Sequence, residues 1–128
     1  QGNTGPYLQY AYVRILSIFR KCEEYSFEQI TPDVDFSVLT HPKEVELAHQ
    51  LFRFPNEVRM AGDTLNPSCL TSYLFSLAKS YSQFYHACPI LAAETPELSK
   101  ARLVLCKATA LVLKRGLALL DITVPERM

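Results

Sequence analysis

The sequence predicts an all-α protein, a bundle of about five helices in one domain, and three observations carry that expectation. Apolar residues recur at steps of three and four over long stretches. The eight prolines fall between those stretches or at their starts. No segment reads as a strand pair, which leaves helix packed on helix as the architecture. The 128 residues are enough for a single hydrophobic core, and 48% hydrophobic residues with only four glycines exclude disordered and collagen-like classes.

The first helix starts at Gly5-Pro6, with Thr4 as its expected N-cap, and runs to about Glu24. Residues 25–40 mix Pro32 with aspartates and read as a loop. Thr40 is the next cap candidate, ahead of His41-Pro42 and the amphipathic stretch KEVELAHQLFRF. Pro55 is expected to break that stretch, with a short helix over Asn56–Ala61 and a turn over residues 62–67. The fourth helix spans about Pro67 to Cys88, with Leu70, Leu74, Leu77, Tyr81, Phe84 and Cys88 in one apolar stripe. Thr95 caps a last helix that places Leu98, Ala101, Leu105, Ala108, Val112 and Leu119 inward and stops near Asp121, before the tail ITVPERM.

Charge and motif content remove several function classes. The net charge is zero, so no global field draws in nucleic acid, but its distribution is uneven. Residues 1–22 carry three bases and no acid. Residues 23–63 carry nine acids against three bases, and residues 64–128 carry seven bases against four acids. The two ends are basic and the middle acidic. No apolar run reaches the roughly 20 residues of a membrane span, and the polar N-terminus has no signal-peptide pattern. Cys22, Cys69, Cys88 and Cys106 have neither CxxC nor zinc spacing and read as free, buried thiols of a reducing compartment, with no metal ligands among them. Phosphate-loop, dinucleotide, nucleophile-elbow and HExxH motifs are absent. Glu23 and Glu24 are adjacent, so on a helix they point about 100° apart and cannot share a site. No catalytic residues are therefore expected in this chain.

The chemistry lies in the first helix. At 100° per residue, Leu8, Ala11, Ile15, Ile18 and Cys22 form its core face, bordered by Tyr12 and Phe19. Tyr7, Tyr10, Arg14, Ser17 and Lys21 gather in a separate row within about 80°. Two readings stand. The tyrosines are core-rim residues with wet hydroxyls, which spacing alone favours, or they are a stacking strip beside phosphate-pairing cations. Lys100, Lys107 and Lys114, seven apart, line one face of the last helix as a solvated row or as further candidates for phosphate contacts.

Three stretches then carry a resemblance. Gly2-Asn3-Thr4-Gly5-Pro6-Tyr7-Leu8-Gln9-Tyr10-Ala11, with Arg14 after it, resembles G-[DN]-T-G-P-Y-x-Q-Y-A of the anticodon-binding (DALR) domain of arginyl-tRNA synthetases. In the middle, Pro67, Leu70, Tyr73-Leu74, Leu77-Ala78, Phe84-Tyr85 and Cys88-Pro89-Ile90-Leu91 follow the same family's pattern. So do Ala101-Arg102-Leu103, Gly116-Leu117, Leu119-Leu120 and Pro125-Glu126-Arg127-Met128 at the end. Asp121 departs from it, standing where the family usually has a glycine that can take φ > 0. The resemblance covers essentially all of residues 1–128, with 1–5 as a junction to a catalytic domain that this chain lacks. It implies a class I synthetase anticodon-binding fold that holds the anticodon stem-loop of tRNA-Arg.

By the resemblance, the contacts fall on Tyr7, Tyr10, Arg14, Tyr85, the loop at Pro89 and Ile90, and Met128. Lys21, Lys100, Lys107 and Lys114 would add phosphate attraction. Every arginine codon has G in the middle, so the cognate anticodons share a middle C, and Tyr85 with Met128 are expected at that base. Met128 brings a polarizable side chain and a carboxylate that suits a cytosine amino group. The resemblance further implies no cofactor in this fragment, with ATP and Mg on the absent catalytic domain of a cytoplasmic ligase. Its implied partners are tRNA and that catalytic domain, not DNA or a membrane. The alternative is a helical protein–protein interaction module without RNA contacts.

Overall fold

The computed structural model describes residues 4–64 and 66–120. Five α-helices follow one another: α1 (Thr4–Lys21), α2 (Pro42–Phe52), α3 (Phe54–Thr64), α4 (Ser68–Ala87) and α5 (Pro96–Leu119), with a single 3-10 turn at Phe36–Val38 between α1 and α2. No strand occurs among the described residues. The expected five-helix bundle is observed.

The stripe read in the fourth helix is the centre of the molecule. Leu74, Leu77, Tyr81, Phe84 and Cys88 are fully buried, and Leu70 is nearly so. On α1, Leu8, Ile15 and Ile18 are buried and Ala11 and Cys22 are partly so, with Tyr12 and Phe19 completing the face. Helix α5 packs against α1, α2 and α4 together. It is consequently buried on almost every side from Ala101 to Cys106, and then along Ala110, Leu113 and Leu117. The expectation for Leu119 is corrected here, since it is 53% exposed. A helix covered by three neighbours does not need one periodic stripe, and the inner line runs two residues before Leu119. Gly116 permits the close approach of α4, because a Cβ there would lie 2.6 Å from a methyl of Leu74.

Helix boundaries differ from the expected ones for local reasons. Thr4 is the first residue of α1 rather than its cap, and α1 ends at Lys21, three residues short of Glu24. The cap of α2 is His41 and not Thr40. His41 Nδ1 accepts the Lys43 N–H at 3.0 Å, while Glu44 Oε1 accepts the His41 N–H at 2.8 Å, closing a reciprocal capping box. Pro55 sits in the first turn of α3, where its missing N–H costs nothing, so it starts that helix. Helix α3 then runs on through Gly62 to Thr64, across the first half of the expected turn. Thr95 caps α5 as expected, accepting the Leu98 N–H at 3.1 Å. Asp121, with the glycine-position question it raised, lies outside the described residues.

Candidate nucleic-acid interface

The row read on the first helix faces outward. Tyr7 is 38% and Tyr10 64% exposed, and Arg14 and Lys21 are exposed beside them. Helix α4 lies against α1 and supplies the second half of the surface. At one end the Tyr7 ring packs on Phe75, with centroids 4.8 Å apart and planes at 33°. At the other, the Arg14 guanidinium carbon stands 5.2 Å over the Tyr85 ring. Tyr85 keeps 37% of its surface exposed. The two pairs are seven residues apart on α1, about 10 Å at 1.5 Å per residue.

Tyr85 is backed by a buried ring. Its ring lies 6.3 Å from that of Tyr81, and the His86 ring meets it edge-on at 5.3 Å. Tyr81 is fully buried, and its hydroxyl lies 3.5 Å from Cys106 Sγ. Burial pushes both groups up, Tyr81 far above the ordinary phenol range and the Cys106 thiol to about 12, so both stay neutral near pH 7. Between Tyr85 and the residues after α4 opens a cleft of about 430 Å³, lined by Ile18, Lys21, His86, Pro89, Ile90, Leu91 and Ala92. Of the loop residues, Pro89 and Leu91 are exposed. Ile90 is 6% exposed, so its side chain is a floor for the cleft rather than an outward contact.

The four lysines divide. Lys21 stands in the Tyr85 cleft. Lys107 is engaged internally: its ammonium donates to the Ile30 carbonyl at 2.8 Å and lies 4.9 Å over the Phe27 ring. Lys100 stands 5.5 Å over the Tyr25 ring. Lys114 is exposed beside a separate hollow with Arg20, Phe27 and Glu28. Two of the three evenly spaced lysines, Lys100 and Lys107, therefore hold the segment after α1 against α5, while Lys114 stays exposed. Met128 lies outside the described residues.

Sequence reading missed Phe75, Lys79 and His86. With Ser82 they follow Phe75 at i+4, i+7 and i+11, an outward row on α4 beside the α1 row. The available signal was Phe75 itself, a large aromatic residue standing off the apolar stripe of its helix. Among the described residues, no three His, Cys, Asp or Glu side chains converge where a metal ion could be held.

An all-helical domain that presents aromatic rings and cations along the seam of two helices is the class this geometry defines. The DALR anticodon binding domain family matches residues 8–128, and the chain belongs to that family. An arginine–tRNA ligase of Shewanella denitrificans is 44% identical over 132 aligned residues, spanning 100% of this chain and 21% of the relative. That of Synechococcus elongatus is 48% identical over 128 residues, again 100% and 21%. In the arginyl-tRNA synthetase structure of Thermus thermophilus, a segment superposes on all of this chain with a TM-score of 0.84 at 36% identity, covering 22% of that chain. The chain thus spans about a fifth of the length of the relatives it matches.

Proposed function

We propose that this chain is the anticodon-reading part of an arginine–tRNA ligase and that it grips the anticodon loop of tRNA-Arg on the α1/α4 seam. The observation that carries the reading is the Arg14–Tyr85 stack at the mouth of the cleft that holds Lys21. A splayed anticodon base is read by stacking on an aromatic or guanidinium plane and by hydrogen bonds to its exposed edge. Arg14 over Tyr85 supplies such a plane already assembled, and the cleft beside it is large enough for one base. Tyr7, Tyr10 and Phe75 extend the apolar surface along the loop, while Lys21 meets a phosphate. The exposed Pro89 and Leu91 close the far wall. Met128 belongs to the proposal through the family resemblance, as the acceptor for the middle cytosine.

The activity of the whole protein follows the same proposal. Amino-acid activation with ATP takes place on a separate catalytic domain, and no step of it is assigned to residues of this chain. What this domain contributes is placement, since holding the anticodon end fixes where the acceptor end of the tRNA lies. Such a ligase acts in the cytoplasm. Among the described residues, no helix is long and apolar enough to cross a membrane.

The test is titration of the chain with arginine-tRNA anticodon stem-loops carrying C or U at the middle position, at low salt. C should be preferred. Tyr85→Ala should weaken binding of the C stem-loop by about 1–3 kcal/mol, the range of one lost stacking partner. With Lys21 on a phosphate, the slope of log K against log salt should be about −0.7 for a single-stranded contact. Binding indifferent to C or U and to Tyr85→Ala refutes the reading. Discrimination unchanged on deleting Met128 removes that residue alone from it.

A further inference from the structure

A buried ion pair lies behind the cleft. Arg102 and Glu44 are both buried, with Arg102 Nε 2.5 Å from Glu44 Oε2. The same guanidinium donates through Nη1 to the Pro89 carbonyl at 2.6 Å. One helical turn before Arg102, Ser99 Oγ donates to the next carbonyl, that of Ile90, also at 2.6 Å. Glu44 is fixed in turn, because its other oxygen accepts the His41 N–H in the capping box of α2. Two consecutive carbonyls of the loop that walls the cleft are therefore tied to α5, and one tie runs on to the first turn of α2.

We propose that Arg102, with Ser99, is a positioning residue for base recognition, acting through the Pro89 and Ile90 carbonyls to set where the loop stands against Tyr85. This rests on the reading of the Tyr85 cleft as the anticodon site. Stability alone does not call for this pair. A buried ion pair can often be replaced by apolar residues of similar volume with no loss of stability, because desolvation of both charges offsets their attraction. What an apolar pair cannot replace is a forked donor that meets a carboxylate with one nitrogen and a carbonyl with another. With the Ile90 side chain sunk in the core, the loop has its direction fixed at three points while Pro89 and Leu91 remain exposed. A recognition site held that firmly from behind is preorganised for one base shape.

The test uses the double variant Glu44→Met/Arg102→Met, which removes both charges together, and the pair Ser99→Ala and Ser99→Thr, which removes and restores one hydroxyl. Each is titrated with the C and U stem-loops well below its melting temperature, with amide exchange of residues 90–92 followed in the free protein. The expected result is faster exchange in the loop and a C-over-U preference reduced about tenfold in the double variant, a scale that displacements under 1 Å readily reach. The reduction should be smaller in Ser99→Ala, and Ser99→Thr should recover it. A merely structural role would lower the melting temperature and leave the ratio alone, so an unchanged ratio in the folded variants overturns the proposal. Tyr85→Ala measured alongside separates the two ideas. If it weakens binding while the double variant keeps its ratio, only the positioning role falls; if it leaves binding intact, the cleft reading falls and takes the positioning role with it.

Discussion

Gly116→Ala is the substitution whose effect the structure fixes most sharply. Taken as a helical residue alone, Gly116 is a defect: replacing an interior glycine of α5 by alanine should stabilise by about 1 kcal/mol. The packing reverses that sign. The new Cβ would stand 2.6 and 2.7 Å from the two methyls of Leu74 and 3.1 Å from its Cγ. Leu74 is fully buried within the core cluster, so its methyls have no open space to turn into. Overpacking of that kind costs about 1–3 kcal/mol, and less the helical gain of about 1 kcal/mol the net expectation is destabilisation by about 1 kcal/mol. The assay is urea unfolding of wild type, Gly116→Ala, Leu74→Ala and the double variant. Leu74→Ala alone leaves a cavity and should cost about 2–5 kcal/mol. In the double variant the new methyl occupies part of that cavity, so the combined loss should be smaller than the sum of the two single losses. A Gly116→Ala protein as stable as wild type, or strictly additive losses, would refute the claim that these helices meet at this glycine.

Two further predictions concern the buried polar groups. Tyr73 donates its hydroxyl to the Gln50 carbonyl at 2.5 Å, and burial first, opposed by Arg53, raises its pKa from 10.0 to about 12. The unfolded chain therefore loses this proton before the folded one does, and stability falls as pH rises from about 10 to 12, by on the order of 2–3 kcal/mol. Tyr73→Phe should be less stable than wild type at pH 8, with the gap closing across that window; a gap independent of pH contradicts it. Among the described residues, Ser80 Oγ is buried with no hydrogen-bond partner, so Ser80→Ala should raise the urea midpoint by the equivalent of about 1 kcal/mol, and a lowered midpoint would show that the hydroxyl has a role.

How much was legible in the sequence depended on how many neighbours each element has. Helix α4 buries one face and leaves another wet, so its stripe of alternating steps of four and three survived intact from Leu70 to Cys88. Helix α1 behaves alike, and the split between its core face and the Tyr7/Tyr10/Arg14/Lys21 row was readable from angles alone. In α5 the signal was diluted because three helices cover it, and Leu119 was misplaced for that reason. The His41 cap could not be foreseen from residue type, since an imidazole nitrogen there does what serine, threonine or aspartate does elsewhere. The site was half legible. Tyr85 and Arg14 could be named, but their meeting across α1 and α4 could not, and neither could the pairing of Tyr7 with Phe75 or of Arg102 with Glu44, which are 58 residues apart in sequence.

The division of cations between packing and exposure decides how the proposed surface would work. Were recognition mainly electrostatic, the three evenly spaced lysines of α5 would be its best instrument, yet Lys107 is bonded to a backbone carbonyl and Lys100 lies over a ring. On the α1/α4 seam, Arg14 is placed over a ring and Lys21 in the cleft. Few charges, set among exposed aromatic faces, give little long-range attraction and little penalty for a wrong sequence through phosphates, because phosphate contacts carry no base information. Discrimination must then come from the shape and hydrogen-bonding edge of the cleft itself. That demand explains why a loop of a few residues is tied from behind by Ser99 and Arg102, and why Tyr85 leans on the buried Tyr81. A surface that attracts weakly can still discriminate well if its walls are held in place, and in the proposed reading the ties from Ser99 and Arg102 do that for the cleft beside Tyr85.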